Sequence, residues 1–513
     1  MRMTALGAAA LLVSASLVSP TQASAVDQVN TKKLRDAVSV TGILSHQRAL
    51  QRIANQNGGT RASGTPGYEA SADYVVKTLR AAGYSVKKQT FTFPFYRELA
   101  PSTLSVTGSG TAYKTGTLGY SGTGDVTGQV VPVKNIQVPP GATQSSSSAG
   151  CKAADFAPAP AAPSIALVQR GTCTFEAKAD NAVAAGYDAV IIFNEGQPGR
   201  DELLTGTLGN IKTVPVIGLS YADGAALYTA AQAGAVQARV TASTEFDAAA
   251  KTTNVIADSP AGKTRDEVVV VGAHLDSVVE GPGINDNGSG TATILEIAKQ
   301  MSKLRYTNNL QRQVRFAFWG AEESGLLGSE YYVNSLTDNQ RSKIYANLNF
   351  DMLGSPNYAR FVYDGNGSDT PASGPPGSAQ IEQIFLDYFQ SQGLATEPTA
   401  FDGRSDYGPF IADGIPAGGL FSGAEGIKTP EQVDLYGGAA GVAYDKCYHK
   451  ACDTITNLNT KALFELGDAA AHATLVLTRS KSGLYEDGSR MTQSTKRSAK
   501  STAALQKGHA AIR

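Results

Sequence analysis

After "TTNVIAD" (252–258) the chain settles into one rhythm, apolar runs alternating with amphipathic ones, and nothing else in it constrains the fold as strongly. "EVVVVGAH" (267–274), "QVRFAFWG" (313–320) and "IYANLNFDM" (344–352) are near-continuous apolar runs of strand length. Between them, "SGTATILEIAKQMSKL" (289–304) and "SGLLGSEYYVNSL" (324–336) carry helical apolar spacing. A strand that is apolar on both faces needs cover on both faces. The pattern therefore predicts an α/β fold, a mainly parallel sheet covered by helices on both faces.

The 513 residues allow roughly two to four domains, and the texture divides them. "LRDAVSVTGILSHQRALQRIANQ" (34–56) reads as helix, "TPGYEASADYVVKTLRAAGY" (65–84) as a helix stopped by Gly83, and "SVKKQTFTF" (85–93) as an alternating strand. From 99 to 246 Gly, Ser, Thr, Ala and Pro dominate, yet "SIALVQR" (164–170) and "AVIIFNE" (189–195) are buried-strand runs flanking the helix "FEAKADNAVAAGY" (175–187). This stretch is expected to be a small α/β domain inserted into a discontinuous main domain, 26–98 with 247–480. The polar, basic residues 481–513 are read as a disordered or processed tail.

The first 25 residues read as a signal peptide: a basic start at Arg2, an apolar run over residues 5–18, and Ala23-Ser24-Ala25 as cleavage site. That run is shorter than the roughly 20 residues a span requires, so a secreted, extracellular protein with no membrane contact is expected. A formal net charge of −1 gives no basis for binding nucleic acid, and a monomer is expected. Four cysteines in an exported chain imply disulfides. Of the three connectivities, the expected one joins neighbours in sequence, Cys151 with Cys173 and Cys447 with Cys452.

Ligands in open α/β sheets bind beyond the carboxyl ends of the strands. There the sequence places His274 and Asp276 after the first apolar run and Asp286 in the following glycine turn. Glu322 and Glu323 follow the second run and Asp351 the third. Carboxylates gathered in this way repel unless a cation neutralises them. Two histidines and three carboxylates would hold a pair of divalent ions roughly 3.5–4 Å apart. Four histidines remain to supply the second: His46 on an N-terminal helix, His509 in the tail, His472 on a helix as a packed residue, and His449 in "KCYHKACD". A Cys447–Cys452 bridge would fix the geometry of His449, which favours it. One of Glu322 and Glu323 would act as general base while the other binds metal. Asp276 would accept the second N–H of His274 and orient it. The glycines of "GPGINDNGSG" let Asp286 turn back, and Asn285 and Asn287 suit strained or positive-φ positions. Asn287-Gly288-Ser289 and Asn366-Gly367-Ser368 are formal glycosylation sequons, the first read as chance at the metal loop.

The series "HLDS…GINDNGSG…WGAEESGLLGS…NFDMLG…CYHKACD" resembles the secreted di-zinc aminopeptidases, the group of bacterial leucine aminopeptidases and fungal aminopeptidase Y. The resemblance spans nearly the whole mature chain and implies a zinc exopeptidase fold. It implies that Asp286 bridges two zinc ions, with His274 and Asp351 completing one and Glu323 and His449 the other. Glu322 matches the family's general base, and Tyr448 matches a tyrosine that steadies the oxyanion in some members. In "FDGRSDYGPF" (401–410) Arg404 falls where some members place a substrate-side arginine, whereas Tyr407 replaces a histidine found in many relatives. The insert resembles the protease-associated domain, which restricts access or contacts substrate.

The activity so implied is hydrolysis of N-terminal peptide bonds in peptides or proteins by a hydroxide bridging two zinc ions, with a preference for residues such as leucine. Cobalt or manganese would also suit the donor set, and a structural calcium is left open. A carboxypeptidase or dipeptidase of the same fold is the alternative. Glutaminyl cyclases share the fold, and a receptor-like protein without catalysis is a more distant reading, disfavoured by the complete ligand set.

Overall fold

Two strands of 22 residues, β1 (Ser85–Val106) and the later β8, lie side by side in antiparallel register and connect the two halves of the molecule. The structure is a computed structural model that describes residues 29–108, 110–264 and 266–484. The expected signal peptide, His509 and the tail beyond residue 484 lie outside the described residues.

Between the two long strands come β2 (Ala112–Tyr113), β3 (Gly116–Thr117), β4 (Gly124–Pro132), β5 (Ser164–Gln169), β6 (Ala189–Phe193) and β7 (Val216–Leu219). After β8 (Gln237–Asp258) the chain forms β9 (Val268–His274), β10 (Gln313–Trp319) and β11 (Ile344–Phe350), then β12 (Phe361–Tyr363), β13 (Glu397–Thr399) and β14 (Ala417–Phe421). The sheet order is β13-β12-β14-β11-β9-β10-β8-β4-β5-β6-β7-β3, with β1 on β8. Its centre, β10-β9-β11-β14, is parallel, as the sequence predicts. Antiparallel β8 and β12 flank that centre.

The alternation of β9 explains its unbroken apolar sequence. Val269, Val271 and Ala273 pack under the helices Val40–Gln56, Pro66–Ala81, Gly288–Lys303 and Thr460–Arg479, through residues such as Leu50, Val75, Ile294 and Leu466. Val268 and Val270 face the other way, onto Trp319, Tyr332, Val333 and Phe410. Burial on both sides forbids a polar face, at about 0.8 kcal/mol per buried methylene group. Gly272 is required at its position, because a Cβ there would lie 2.6 Å from Trp319 Nε1.

The single helix expected over 34–56 is two, Lys32–Ala37 and Val40–Gln56. Val38 turns extended, and Ser39 restarts the chain as an N-cap, its Oγ accepting from Gly42 N at 3.1 Å. The composition-based boundaries at 98/99 and 246/247 fall inside the long strands, where Tyr96 pairs with Phe246 and Glu98 with Thr244. In the insert, parallel β4, β5, β6 and β7 divide two apolar clusters, one with Ala179 and Ala182 of the helix Phe175–Ala184 and one with Leu227 of Tyr221–Ala233. Disulfides join Cys151 to Cys173 and Cys447 to Cys452. No helix among the described residues is long and apolar enough to cross a membrane.

Candidate metal centre

The sheet order reverses at β9: β10 lies on one side of it and β11, next in sequence, on the other. Such a reversal opens a crevice at the carboxyl ends of the strands. His274 is the last residue of β9, Asp351 the first after β11, and Glu322 and Glu323 lie just beyond β10. Asp286 enters from the turn that starts the helix Gly288–Lys303, and His449 from the loop closed by the Cys447–Cys452 bridge.

Asp286 stands in the middle. Its Oδ1 is 3.2 Å from His274 Nε2 and its Oδ2 is 3.2 Å from His449 Nε2. On the first side Asp351 Oδ1 is also 3.2 Å from His274 Nε2. On the second, Glu323 Oε2 is 3.1 Å from His449 Nε2. Glu322 Oε2 stands farther back, 3.9 Å from His274 Nε2. His274, Asp286 and Glu323, and again His274, Glu322 and Asp351, each offer donor atoms within 4.8 Å of one another. By distance alone, therefore, Glu322 belongs to the donor cluster as well.

The electrostatics show what such a site attracts. Burial opposes charge on both imidazoles, but the surrounding carboxylates win: His274 is raised well above its ordinary value and His449 is pushed up to about 11. Burial pushes Glu322 well up and raises Glu323, each reinforced by neighbouring carboxylates. Burial would also raise Asp286, yet hydrogen bonds from the two imidazoles hold it below the usual carboxylate range. The cluster thus draws in positive charge wherever it can. Mixed imidazole nitrogen and carboxylate oxygen donors suit zinc, and the buried Glu323 Oε1, without a hydrogen-bond partner, is a further acceptor for a cation. The residues fit a divalent metal.

The surrounding residues hold this geometry against strain. Ala321, Met352 and His449 all have positive φ, at 53°, 57° and 56°. Such conformations persist only where the surroundings impose them. Ala321 N donates to Ser63 Oγ at 2.7 Å, and Met352 N to Asn287 Oδ1 at 3.1 Å. Strained or positive-φ positions are expected for Asn285 and Asn287, and neither residue has positive φ; their side chains act as clamps. Asn287 also donates to Phe350 O at 2.9 Å, and Asn285 to Asp445 Oδ2 at 2.7 Å while accepting from Gly354 N at 3.1 Å. Together they bind the Asp286 turn to the end of β11.

The contact between Asp276 and His274 is mixed. The Asp276 carbonyl is 3.2 Å from His274 Nδ1 and its Oδ1 3.6 Å, and the same Oδ1 accepts Glu322 N at 3.3 Å. Tyr448 stacks on His449 with ring centroids 3.8 Å apart. Arg404 is half exposed and reaches Glu425 Oε1 at 2.8 Å. Tyr407 is buried, its hydroxyl donating to Asp402 Oδ1 at 2.8 Å. The remaining described histidines lie elsewhere. His46 is buried between Tyr74 and Glu296, and His472 lies against Thr31 and Tyr388.

Sequence reasoning missed four residues. Arg61, fully buried, donates to the carbonyls of Leu275, Pro282 and Gly283, fastening both ends of the Asp286 turn. Asp453 accepts the N–H groups of Asn285 and Asp286. Ser405 donates to Asp351. Asp406 is fully buried near the cluster, and burial pushes it up to about 7. Asp453 was in view, since it directly follows Cys452. Nothing in the local sequence distinguishes Arg61 from a solvated turn residue.

Peptidase family M28 matches residues 254–474, which contain all six charged residues of the cluster, and the PA domain matches residues 126–227. An aminopeptidase of Pseudomonas aeruginosa is 45% identical over 506 residues, covering 93% of this chain and 91% of its own. The chain belongs to peptidase family M28. Leucine aminopeptidase 2 of Trichophyton rubrum is 40% identical over 460 residues, 89% of this chain and 87% of the relative. Among solved structures, a zinc aminopeptidase from Bacillus subtilis superimposes with a TM-score of 0.64 at 25% identity, covering 88% of this chain and 99% of that one.

Proposed function

We propose that this family M28 protein is a secreted zinc aminopeptidase that removes N-terminal residues, leucine among the preferred ones, from peptides. The observation that carries the reading is Asp286, whose two oxygens face two separate histidines at 3.2 Å. A carboxylate so placed suits a bridge between two ions. His274 and Asp351 would complete one coordination sphere, Glu323 and His449 the other. The relatives named aminopeptidase and leucine aminopeptidase, and the Bacillus subtilis structure named a zinc aminopeptidase, support the activity and the metal.

Bound zinc supplies Lewis acidity, polarising the scissile carbonyl and acidifying water. The protein's own groups do the rest. Glu322, the carboxylate farthest from the histidines, takes a proton from the attacking water and returns it to the leaving amine. Burial among carboxylates raises its affinity for that proton. The Tyr448 hydroxyl donates to the oxyanion as charge develops there, its ring held on His449. Arg404, half exposed, lies within electrostatic reach of Tyr448. The free α-amine of the substrate is attracted by the acidic cluster, which favours an aminopeptidase over a carboxypeptidase.

The test is hydrolysis of leucine p-nitroanilide beside its N-acetyl form, with and without a chelator. Cleavage of only the free amine, abolished by the chelator and restored by zinc, is the expected result. Cleavage of both substrates, or of neither by metal-replete protein, would overturn the reading.

A further inference from the structure

We infer that Lys178 makes Cys151–Cys173 a thiol-exchange site: a low-molecular-weight thiol attacks Cys173, and Cys151 leaves as a thiolate paired with the Lys178 ammonium. The site lies wholly within the insert and is independent of the peptidase reading. Both cysteines are half-buried, and Cys173 stands between the exposed Thr172 and Thr174, so a small thiol can reach it.

The two sulfurs are not equivalent. Cys151 Sγ has Lys178 Nζ at 3.7 Å and accepts from Thr172 Oγ1 at 3.3 Å, whereas Cys173 Sγ accepts no hydrogen bond among the described residues. Lys178 rises from the first turn of the helix Phe175–Ala184, is 0% exposed, and donates to Ala149 O at 2.5 Å. Asn181, on the next turn, donates to Gly150 O at 3.0 Å. One helix face thus grips the turn that carries Cys151. Burial lowers the Lys178 value to about 8, against the pull of Glu195 and Asp155, so the side chain stays mostly protonated at neutral pH. Yet among the described residues no carboxylate pairs with it. A buried ammonium ordinarily has a counter-ion, and here the group that faces it is a sulfur.

Exchange supplies the missing anion. The attacking thiolate forms a bond to Cys173 Sγ, the Cys151–Cys173 bond breaks, and its electron pair passes to Cys151 Sγ, where Lys178 neutralises it. The thiol remains as a mixed disulfide on Cys173, and no other oxidant or reductant is consumed. A lysine beside a cysteine lowers its pKa, and a thiolate of lower pKa leaves faster. Cys447–Cys452 lies in contrasting surroundings. The buried carboxylates of Asp445 and Asp453 flank it in sequence, and Lys450 turns its ammonium to Lys446 O.

The experiment treats full-length protein with excess cysteine, quenches with iodoacetamide and maps the adducts by peptide mass spectrometry. Dithiothreitol then gives the reduction rate of each bridge in wild type and in Lys178→Met. We expect cysteine on Cys173 and the alkyl group on Cys151. In Lys178→Met, Cys151–Cys173 should be reduced roughly 3- to 30-fold more slowly, with Cys447–Cys452 unchanged. A lysine with a structural role only predicts the opposite sign, since a loosened insert exposes its bridge and speeds reduction. Faster or unchanged reduction in Lys178→Met, or an equal slowing at both bridges, would overturn the inference. The adduct map needs wild-type protein alone and therefore decides even if Lys178→Met does not fold. Cysteine attached to Cys151, or to neither residue, would also overturn it.

Discussion

Asp453 Oδ2 accepts the backbone N–H of Asp286 at 2.9 Å, and its Oδ1 accepts that of Asn285 at 2.8 Å. One buried carboxylate, directly after the Cys447–Cys452 loop, thus holds two successive amides of the Asp286 turn, so the segment that brings His449 also places Asp286. Asp453→Asn keeps the shape but offers only one acceptor, leaving one buried amide facing an NH2 group. A loss of about 1–3 kcal/mol in stability is expected, together with weaker zinc binding. Urea midpoints and chelator titration measure the two effects.

Glu322→Gln separates the base from the ligands. The variant should bind zinc as the wild type does, while kcat falls roughly 10²- to 10⁴-fold. Loss of an ion in this variant would mean that Glu322, which distance also places near His274 and Asp351, is a ligand.

The Cys447–Cys452 bridge spans five positions and encloses His449 at a φ of 56°. So short a ring removes little chain entropy, about 2 kcal/mol of stability. Its effect on the histidine is larger. The double variant Cys447→Ser, Cys452→Ser should stay folded by circular dichroism yet lose most activity at limiting zinc and recover part of it in excess. Unchanged activity at limiting zinc would show that the bridge does not position His449.

His472 gives the fold an acid limit of its own. Burial, with Arg35 beside it, pulls its value from 6.5 down to about 4. Its Nδ1 meets Thr31 Oγ1 at 2.9 Å, and that oxygen already accepts from Arg35 Nε at 3.2 Å, so the imidazole serves as the acceptor. Between pH 4 and 6.5 the unfolded chain binds this proton and the folded chain does not. The contribution is therefore complete above pH 6.5 and lost as the pH falls towards 4, on the order of 3 kcal/mol. Urea midpoints at pH 7, 5.5 and 4.5 should fall more steeply for wild type than for His472→Leu. Parallel curves would refute this.

What the sequence disclosed follows from which constraints are local. Val268, Val270 and their alternates are buried on both sides, and that alone makes β9 apolar throughout. The carboxylates at strand ends were legible because the parallel sheet fixes where those ends must meet. His449 was legible through its flanking cysteines. Arg61, Ser405 and the clamping role of Asn285 were not, since each acts on backbone or side chains 54 or more positions away. The change of texture at residue 99 does not mark the end of β1, for a different reason. β1 beyond that point alternates exposed small polar residues with buried ones such as Leu104, so a strand facing water on one side passes for loop.

The long strand pair has one more consequence. Phe91, Phe93 and Phe95 of β1 pack against Ala321, and Asn254 of β8 accepts Gly320 N at 3.0 Å and donates to Gly328 O at 2.8 Å. The beams that carry the insert are also the back wall of the glutamate turn. Trimming the chain at residues 99 and 246 would saw through both beams, and a shorter descendant would need a new hairpin near the pairing of Phe93 with Ala250. The same two strands therefore hold both the insert and the turn that carries Glu322 and Glu323.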